Sequence, residues 1–391
     1  MEFNFGYNNK VAPNTGATPL SEYISNGEIN VLKKEWELLN RKYSKEELIE
    51  FLVTEVYDNK QITLPMKRLT EKDAIDAFNY ALNYECNPIF EDKTYTKFDY
   101  NYSLSNRYIY ESNKANDASN YFQQYNRMCC EHVAIPSPVR VWNTRKFLTT
   151  LFPALWSMKF EEVNTGVLLN IIALRKYVAS QFNPLIAKSI YTKFNAKNII
   201  DFSSGWGDRL CGFYATPTTE SYIGIDPNTH VYNNYFKQIA LYKKLTKEKK
   251  VTLYNLPAEE VELDENIADT IFTSPPYFNM EKYSTEATQS CNRYKTCDAW
   301  LSGFMIPTLN TMWRALKKEG HLIINISDSA QGGKQKRVCD AMNDHIKSLG
   351  GTYVEGLGMK MSKRPNSMYH KDDNGDKKEG TFIEPIWVWK K

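Results

Sequence analysis

From Asn198 to Trp389 the sequence alternates apolar runs of strand length with amphipathic runs of helix length. Strands are expected at 198–202, 221–225, 251–255, 269–273, 321–326, 352–356 and 386–389. Helices are expected at 208–214, 231–245, 299–316 and 336–349, with two more at 168–178 and 183–194 just before the first strand. Alternation with this spacing specifies an α/β fold. Parallel strands need helical crossovers, and those crossovers cover both faces of the sheet. Seven strands make a sheet whose ligands belong at the strands' carboxyl ends.

The chain before residue 166 has a different texture. Residues 1–20 are polar and rich in Asn and Gly, and read as a flexible lead-in unlike a signal peptide. Ser21–Tyr57 carries helical spacing, and Ser44-Lys45-Glu46-Glu47 is a capping box. Thr70-Glu71-Lys72-Asp73 opens another helix. Residues 84–130 are rich in Tyr and Asn with weak periodicity, and fit short strands or long loops. Ile135-Pro136-Ser137-Pro138 breaks the chain ahead of the basic, aromatic stretch from Arg140 to Phe147. The expected division is a mainly helical or mixed N-terminal region over 1–165 and an α/β domain over 166–391.

Composition narrows the function. The formal net charge of +3 permits nucleic-acid binding without demanding it, so any basic footprint must be local. The seven cysteines are odd in number and include no CxxC, which argues against a disulfide framework, a zinc ribbon or any metal site. No apolar run approaches the roughly 20 residues that cross a bilayer. The expectation is a soluble, cytoplasmic protein.

Four strand ends carry the chemistry. After the first strand comes Asp201-Phe-Ser203-Ser-Gly205-Trp206-Gly207, where two glycines let backbone approach a ligand closely. The loop has no Walker lysine, which speaks against a triphosphate site. The second strand ends in Asp226, placed to accept both hydroxyls of a ribose. The third leads into Pro257-Ala258-Glu259. The fourth ends in Thr273-Ser274-Pro275-Pro276-Tyr277. Neither proline has an N–H, so the carbonyls there are held on a rigid turn. Ser274 adds a hydroxyl acceptor and Tyr277 a flat face for stacking. Such a turn suits a planar exocyclic amine. Accepting both its protons makes the nitrogen more tetrahedral and more nucleophilic.

Together these motifs resemble the S-adenosylmethionine-dependent amino-methyltransferases that modify cytosine N4 or adenine N6 in DNA. The resemblance covers about residues 165–391 and implies a Rossmann-like class I methyltransferase fold with a mostly parallel seven-stranded sheet. It implies that Asp201, Gly205 and Gly207 hold the methionine part of S-adenosyl-L-methionine, that Asp226 holds the ribose and that Ala258 or Glu259 approaches the adenine. Phe182-Asn183-Pro184 resembles the family's element beside the methionine end. Two residues depart from the first motif. Ser203 replaces a common phenylalanine, and Trp206 replaces a small residue and packs either on the cofactor or in the core. Ser274, Pro275, Pro276 and Tyr277 match the catalytic motif. Ser rather than Asp before the proline pair favours cytosine N4, with adenine N6 close behind.

A base in a duplex must be flipped out to reach such a pocket. Phe278 and Trp300 are expected to line it. Phosphate contacts are expected from Lys282, Arg293 and Lys295, from Lys334, Lys336 and Arg337, and from Lys360, Lys363 and Arg364. Residues 281–298 read as a loop that closes over substrate. Residues 1–165 are left as the DNA reader, a partner-binding region or a structural cover. Two other functional readings stand beside this one: a methyltransferase acting on RNA bases, and a catalytically silent nucleic-acid-binding subunit that kept the fold.

Overall fold

The computed structural model describes residues 16–391 except 87–88, 176–177, 332–333, 362–373 and 377. Lys363, Arg364 and most of the lead-in therefore lie outside the described residues. Two compact units divide the chain, and each is taken by itself.

The larger unit comprises Leu69–Arg127 and Ser180–Lys391. It is built on a ten-stranded sheet. In chain order the strands are β1 (Phe90–Glu91), β2 (Thr94–Tyr95), β3 (Leu104–Ile109), β4 (Asn198–Asp201), β5 (Ser221–Ile225), β6 (Lys250–Tyr254), β7 (Ala268–Thr273), β8 (Leu316–Asn325), β9 (Thr352–Lys360) and β10 (Thr381–Lys390). Their spatial order is β6-β5-β4-β7-β8-β10-β9-β3-β1, with β2 beside β10. The run from β6 to β8 is parallel throughout. β10 enters antiparallel between β8 and β9. Strand order reverses between β4 and β7, the switch point that opens a crevice at the carboxyl edge. This is a Rossmann-like class I methyltransferase fold.

All seven expected strands are present, and β8, β9 and β10 are longer than the sequence suggests. The other three strands come from residues 90–109. β3 pairs parallel to β9 and β1 pairs antiparallel to β3, so this segment extends the far side of the sheet. A boundary at residue 165 therefore does not follow the compact grouping. Backbone hydrogen bonds tie 90–109 into the sheet, and alternation too weak to read locally gave no sign of it.

The sheet is filled on both faces. Successive residues of a strand point to opposite sides. Ile271 joins Leu309 and Met312 of α4 (Ile306–Ala315), Met342 and Ile346 of α5 (Val338–Ser348), and Trp387 and Trp389 in one buried cluster. Its neighbour Phe272 instead meets the rings of Phe182 and Tyr191, with centroids 5.7 and 5.8 Å away. Tyr191 sits on α1 (Pro184–Lys193). Each such side chain contributes about 1.5–3 kcal/mol on burial. The two tryptophan N–H groups are not wasted. Trp387 donates to the Ile326 carbonyl and Trp389 to the Asn343 side chain, each at 2.9 Å. The helix expected at 299–316 is interrupted by a π-turn over Leu301–Met305 before α4 begins. The helix at Thr70 begins with its capping box.

The smaller unit comprises Met1–Arg68 and Met128–Ala179. Short helices surround a three-stranded sheet of Ile24–Ser25, Glu28–Val31 and Val163–Asn164. The Ser44 capping box forms as expected. Trp142 is buried and donates its indole N–H to the Ile62 carbonyl at 3.2 Å. Arg145 is held by Glu50 and Asp58. Among the described residues of the chain, no helix is long and apolar enough to cross a membrane.

Candidate functional site

The expected motifs converge on the carboxyl edge of the sheet, because β4, β5, β6 and β7 are adjacent and parallel. Asp201 and Asp226 end neighbouring strands, yet their surroundings differ. Asp201 is fully buried. Its carboxylate accepts from Arg209 Nε (2.8 Å) and Nη2 (3.2 Å), the Tyr222 hydroxyl (2.8 Å), the Thr273 hydroxyl (2.8 Å) and the Ser203 N–H (3.3 Å). A carboxylate has about four lone-pair sites. These donors saturate it, so the expected contact between the Asp201 side chain and a cofactor is replaced by an internal one. Asp201 joins β4 to β5 through Tyr222, to β7 through Thr273, and to α2 (Asp208–Ala215) through Arg209. The Arg209 guanidinium also lies 5.2 Å from the centre of the Phe182 ring, which keeps some exposed surface over this junction.

Among the described residues, Asp226 is held by backbone alone. One oxygen accepts from the Gly205 N–H and the other from Asn228 N–H, both at 2.9 Å. Burial pushes its carboxyl up to about 7, against the lowering effect of those two N–H groups. The glycine loop is thereby drawn toward the second strand's acid. Gly205 has φ +57°, and a Cβ there would meet nothing nearer than the Ser203 carbonyl at 3.8 Å. Open space lies over this residue. Gly207 is the opposite case. Its φ is +78° and a Cβ would sit 2.2 Å from the Gln238 side chain. Gln238 in turn donates to the Trp206 carbonyl at 3.1 Å, and the Tyr235 hydroxyl donates to the Gly205 carbonyl. Both come from α3 (Thr229–Leu245), which fixes the loop from behind. Ser203 remains partly exposed. Trp206 is 7% exposed and gives its indole N–H to the Ser180 carbonyl at 2.9 Å, so it takes the core reading rather than lying open on a cofactor surface.

Past β6, Ala258 is buried and the Glu259 side chain is buried as well. Glu259 Oε1 accepts from Arg293 at 2.9 Å and Tyr294 at 3.0 Å. Its Oε2 is buried with no hydrogen-bond partner among the described residues, and burial raises its carboxyl above the usual range. A buried acceptor left open beside a strand end is costly unless a ligand fills it.

The segment 281–298 is fastened to the neighbouring strand ends by several hydrogen bonds. Asn228 donates to the Tyr283 carbonyl at 3.3 Å, Thr229 N–H to Glu286 at 3.2 Å, and Thr288 to the Pro227 carbonyl at 3.4 Å. Arg293 bridges Glu259 and Glu260. The Tyr283 ring stands 5.8 Å from that of Trp206. The segment is thus fastened across the ends of β5 and β6, over Asp226 and Glu259. Arg293 is committed to two carboxylates and is not free to meet a phosphate. Lys282 and Lys295 are exposed, and Lys295 donates to the Cys291 carbonyl at 3.4 Å.

The fourth motif forms the turn at the end of β7. Ser274 donates to Asn325 at 3.4 Å, and Asn325 is anchored to the Pro385 carbonyl at 3.0 Å. Among the described residues none donates to the carbonyls of Ser274, Pro275 or Pro276. The Tyr277 hydroxyl donates to Glu384 on β10. Burial pushes the Glu384 carboxyl up to about 7, and burial together with that neighbouring acid raises the Tyr277 hydroxyl well above its ordinary value. Phe278 has φ +55°, uncommon for a residue with a side chain. It is 3% exposed, with its ring centre 6.3 Å from that of Trp300. Trp300 is fully buried and donates to Ser290 at 3.2 Å. Phe278 and Trp300 are therefore core beneath the turn, in place of the pocket lining expected of them.

Of the remaining basic candidates, Arg337 pairs with Asp340, Lys336 is half-buried, and Lys334 lies in the strand Lys334–Lys336. Four residues important to the site escaped the sequence reading: Arg209, Tyr222, Asn325 and Glu384. Asn325 and Glu384 carry a weak signal, each being a polar residue at the end of an apolar strand.

No protein-family model matches the chain, and no curated protein does. Solved structures match it distantly. A putative S-adenosylmethionine-dependent methyltransferase from Listeria monocytogenes is 12% identical, covering 52% of this chain and 94% of its own, with TM-score 0.33. The tRNA (m1A58) methyltransferase of Aquifex aeolicus is 11% identical over 54% of this chain and 70% of its own, with TM-score 0.31. An S-adenosylmethionine-dependent O-methyltransferase from Thermotoga maritima is 11% identical over 57% and 71%, with TM-score 0.33.

Proposed function

We propose that this chain transfers a methyl group from S-adenosyl-L-methionine to the exocyclic amine of a base flipped out of DNA, cytosine N4 ahead of adenine N6. The observation that carries the proposal is the Ser274–Tyr277 turn. Its carbonyls are unclaimed within the described protein, it closes the strand at the switch point, and its aromatic is locked by Glu384.

The residues fit the cofactor. Asp226 offers carboxylate oxygens for ribose hydroxyls, the surface over Gly205 is open, and the orphaned Glu259 Oε2 suits an adenine amine. Bound there, S-adenosylmethionine supplies an already activated methyl, so no covalent enzyme intermediate is needed. The protein's task is then positioning, which accounts for a large share of rate acceleration when reacting atoms are held in line. Ser274 and the Pro275 carbonyl accept the amine protons, while Tyr277 stacks on the ring. The 281–298 segment covers the cofactor's ribose and adenine, excluding water there. Its exposed lysines, Lys282 and Lys295, are left to face nucleic acid. The domain over 166–391 is proposed as catalytic, and residues 1–165 as the DNA reader, a partner-binding region or a structural cover, with 90–109 of that region also extending the catalytic sheet. A soluble, cytoplasmic, DNA-associated protein follows from this reading.

The test is mass spectrometry of nucleosides released from DNA and from RNA incubated with the protein and S-adenosylmethionine. N4-methylcytosine or N6-methyladenine in DNA is the expected product. Methylated ribonucleosides alone would move the substrate to RNA. No binding of S-adenosylmethionine by calorimetry would sink the enzyme reading and favour a silent binding subunit.

A further inference from the structure

Residues 90–109 add three short strands to the sheet, and in doing so they build a second feature on its carboxyl edge. β3 runs parallel to β9, with Gly358 opposite Tyr108 and Met359 opposite Ile109. Their carboxyl ends, Tyr110 and Lys360, therefore reach the same edge as the turn at Ser274. β10 runs the other way, so its first residues, Thr381 and Phe382, arrive there too. Between these ends lies an open groove of about 580 Å³, lined by Tyr108, Tyr110, Lys360, Met361 and Phe382 together with Asp92.

The chemistry of the groove is aromatic and cationic. Tyr110 is 51% exposed, and Lys360 holds its ammonium 4.4 Å from the centre of that ring. Beside the groove, Tyr95 pairs with β10 opposite Phe382 and lies between Lys93 and Lys378, at 5.4 and 5.3 Å. The acid of the lining, Asp92, accepts from the Thr381 hydroxyl at 3.0 Å and the Lys93 N–H at 2.7 Å and keeps its charge. Glu379 acts on Lys93 from the same side. Lys360, Lys93 and Lys378 outnumber these two acids among the described residues here. An exposed tyrosine beside a lysine, with a second, half-buried tyrosine between two lysines along the same edge, matches what a single-stranded nucleic acid needs. Its bases stack on π-faces, and its phosphates are met by cations.

The groove also connects to the turn. Phe382 and Glu384 are two residues apart on one strand, so their side chains share a face and stand about 7 Å apart along it. Glu384 is the residue that accepts from Tyr277. We infer that this groove seats the unpaired nucleotides flanking the target base, with Tyr110 and Tyr95 as stacking platforms and Lys360 as a phosphate contact. The inference rests on the nucleic-acid reading of the Ser274–Tyr277 site and names where the strand runs from it.

Fluorescence anisotropy without cofactor tests it. Labelled short single-stranded DNA, single-stranded RNA and duplex DNA are titrated against the full chain, Tyr110→Ala and Lys360→Gln. Both residues are exposed, so neither variant should disturb folding. Tyr110→Ala is expected to weaken single-strand binding about tenfold, within the range for one stacked base. Lys360→Gln should lower the slope of log affinity against log salt by about 0.7, one phosphate contact on a single strand. The strand with the larger loss identifies DNA or RNA as the occupant, and either supports the groove. Unchanged affinity for both single strands in both variants overturns it, as does a loss confined to duplex. Calorimetry of Tyr110→Ala with S-adenosylmethionine separates the two claims. The cofactor should bind as in the unaltered chain, and absent binding in both would remove the methyltransferase reading while leaving the anisotropy result standing.

Discussion

The ends of β4 and β5 lie side by side and both carry an aspartate, yet they do opposite work. Asp201 is sealed in by Arg209, Tyr222 and Thr273 and serves as a rivet between three strands and a helix. Among the described residues Asp226 accepts hydrogen bonds only from two backbone N–H groups, and burial raises its carboxyl to about 7. A carboxylate whose lone pairs are all spent inside the protein stabilises the fold. One left partly unspent, at a price in desolvation, is available to a ligand. Position at a strand end does not separate the two, but the donors around each do.

The sharpest way to break this comparison is Asp201→Asn. It leaves the buried Arg209 guanidinium without its counter-charge, and removing one partner of a buried pair costs about 3–5 kcal/mol. Urea unfolding should show that loss. A variant as stable as the unaltered chain would return Asp201 to the list of ligand contacts. Next comes Asp226→Asn, expected to leave the urea midpoint nearly unchanged. Hydrogen bonds to a charged acceptor are worth about 1.5–3 kcal/mol, so affinity for S-adenosylmethionine should fall by roughly tenfold or more. Equal losses of stability in the two variants would erase the distinction.

Tyr277→Ala should spare cofactor affinity and abolish transfer, while Tyr277→Phe, which keeps the ring and loses only the bond to Glu384, should reduce the rate by less than about tenfold. Retained turnover in the alanine variant would remove the stacking role. The smallest effects are those of pH. Asp226 has a folded-state value raised to about 7. The folded chain therefore holds that proton where the unfolded chain has lost it. Its contribution to stability is present below about pH 4 and is lost as pH rises toward 7. Cofactor affinity should move the other way and strengthen as the carboxylate forms. Asp226→Asn should flatten both profiles. Glu384→Gln should likewise remove an inflection near pH 7 from the transfer rate.

How much of this could be read in advance depended on the range of the signal. The seven main strands, the glycine loop, Asp226 and the proline turn were legible because each is written in consecutive residues with a period or a motif. Arg209 and Tyr222 were not. Their roles arise from an eight-residue step around a helix and a neighbouring strand, which no local pattern reports. The segment 281–298 was read as a loop that closes over substrate, and its anchoring partners were not legible. Its basic residues drew attention to phosphate, whereas Glu259, Glu260 and the carbonyl of Pro227 are what hold it. Residues 90–109 take the short-strand reading, one of the two left open, but their place in the sheet was not legible. β1 and β2 have two residues each, too few to establish alternation, and β3 with six has a mixed burial pattern, so only pairing with β9 and β10 places them. Trp206, Phe278 and Trp300 show the common ambiguity of aromatics, which suit a core as well as a pocket.

The left-handed backbone at Phe278 has a consequence for how the turn can vary. One residue step sends Tyr277 toward β10 and Phe278 down onto Trp300. Any replacement at 278 is screened twice, by a backbone that favours glycine or asparagine and by a cavity shaped for a phenyl ring. Glycine satisfies the first screen and fails the second, leucine the reverse. Saturation mutagenesis should therefore find position 278 nearly immutable, although it touches neither methyl donor nor base.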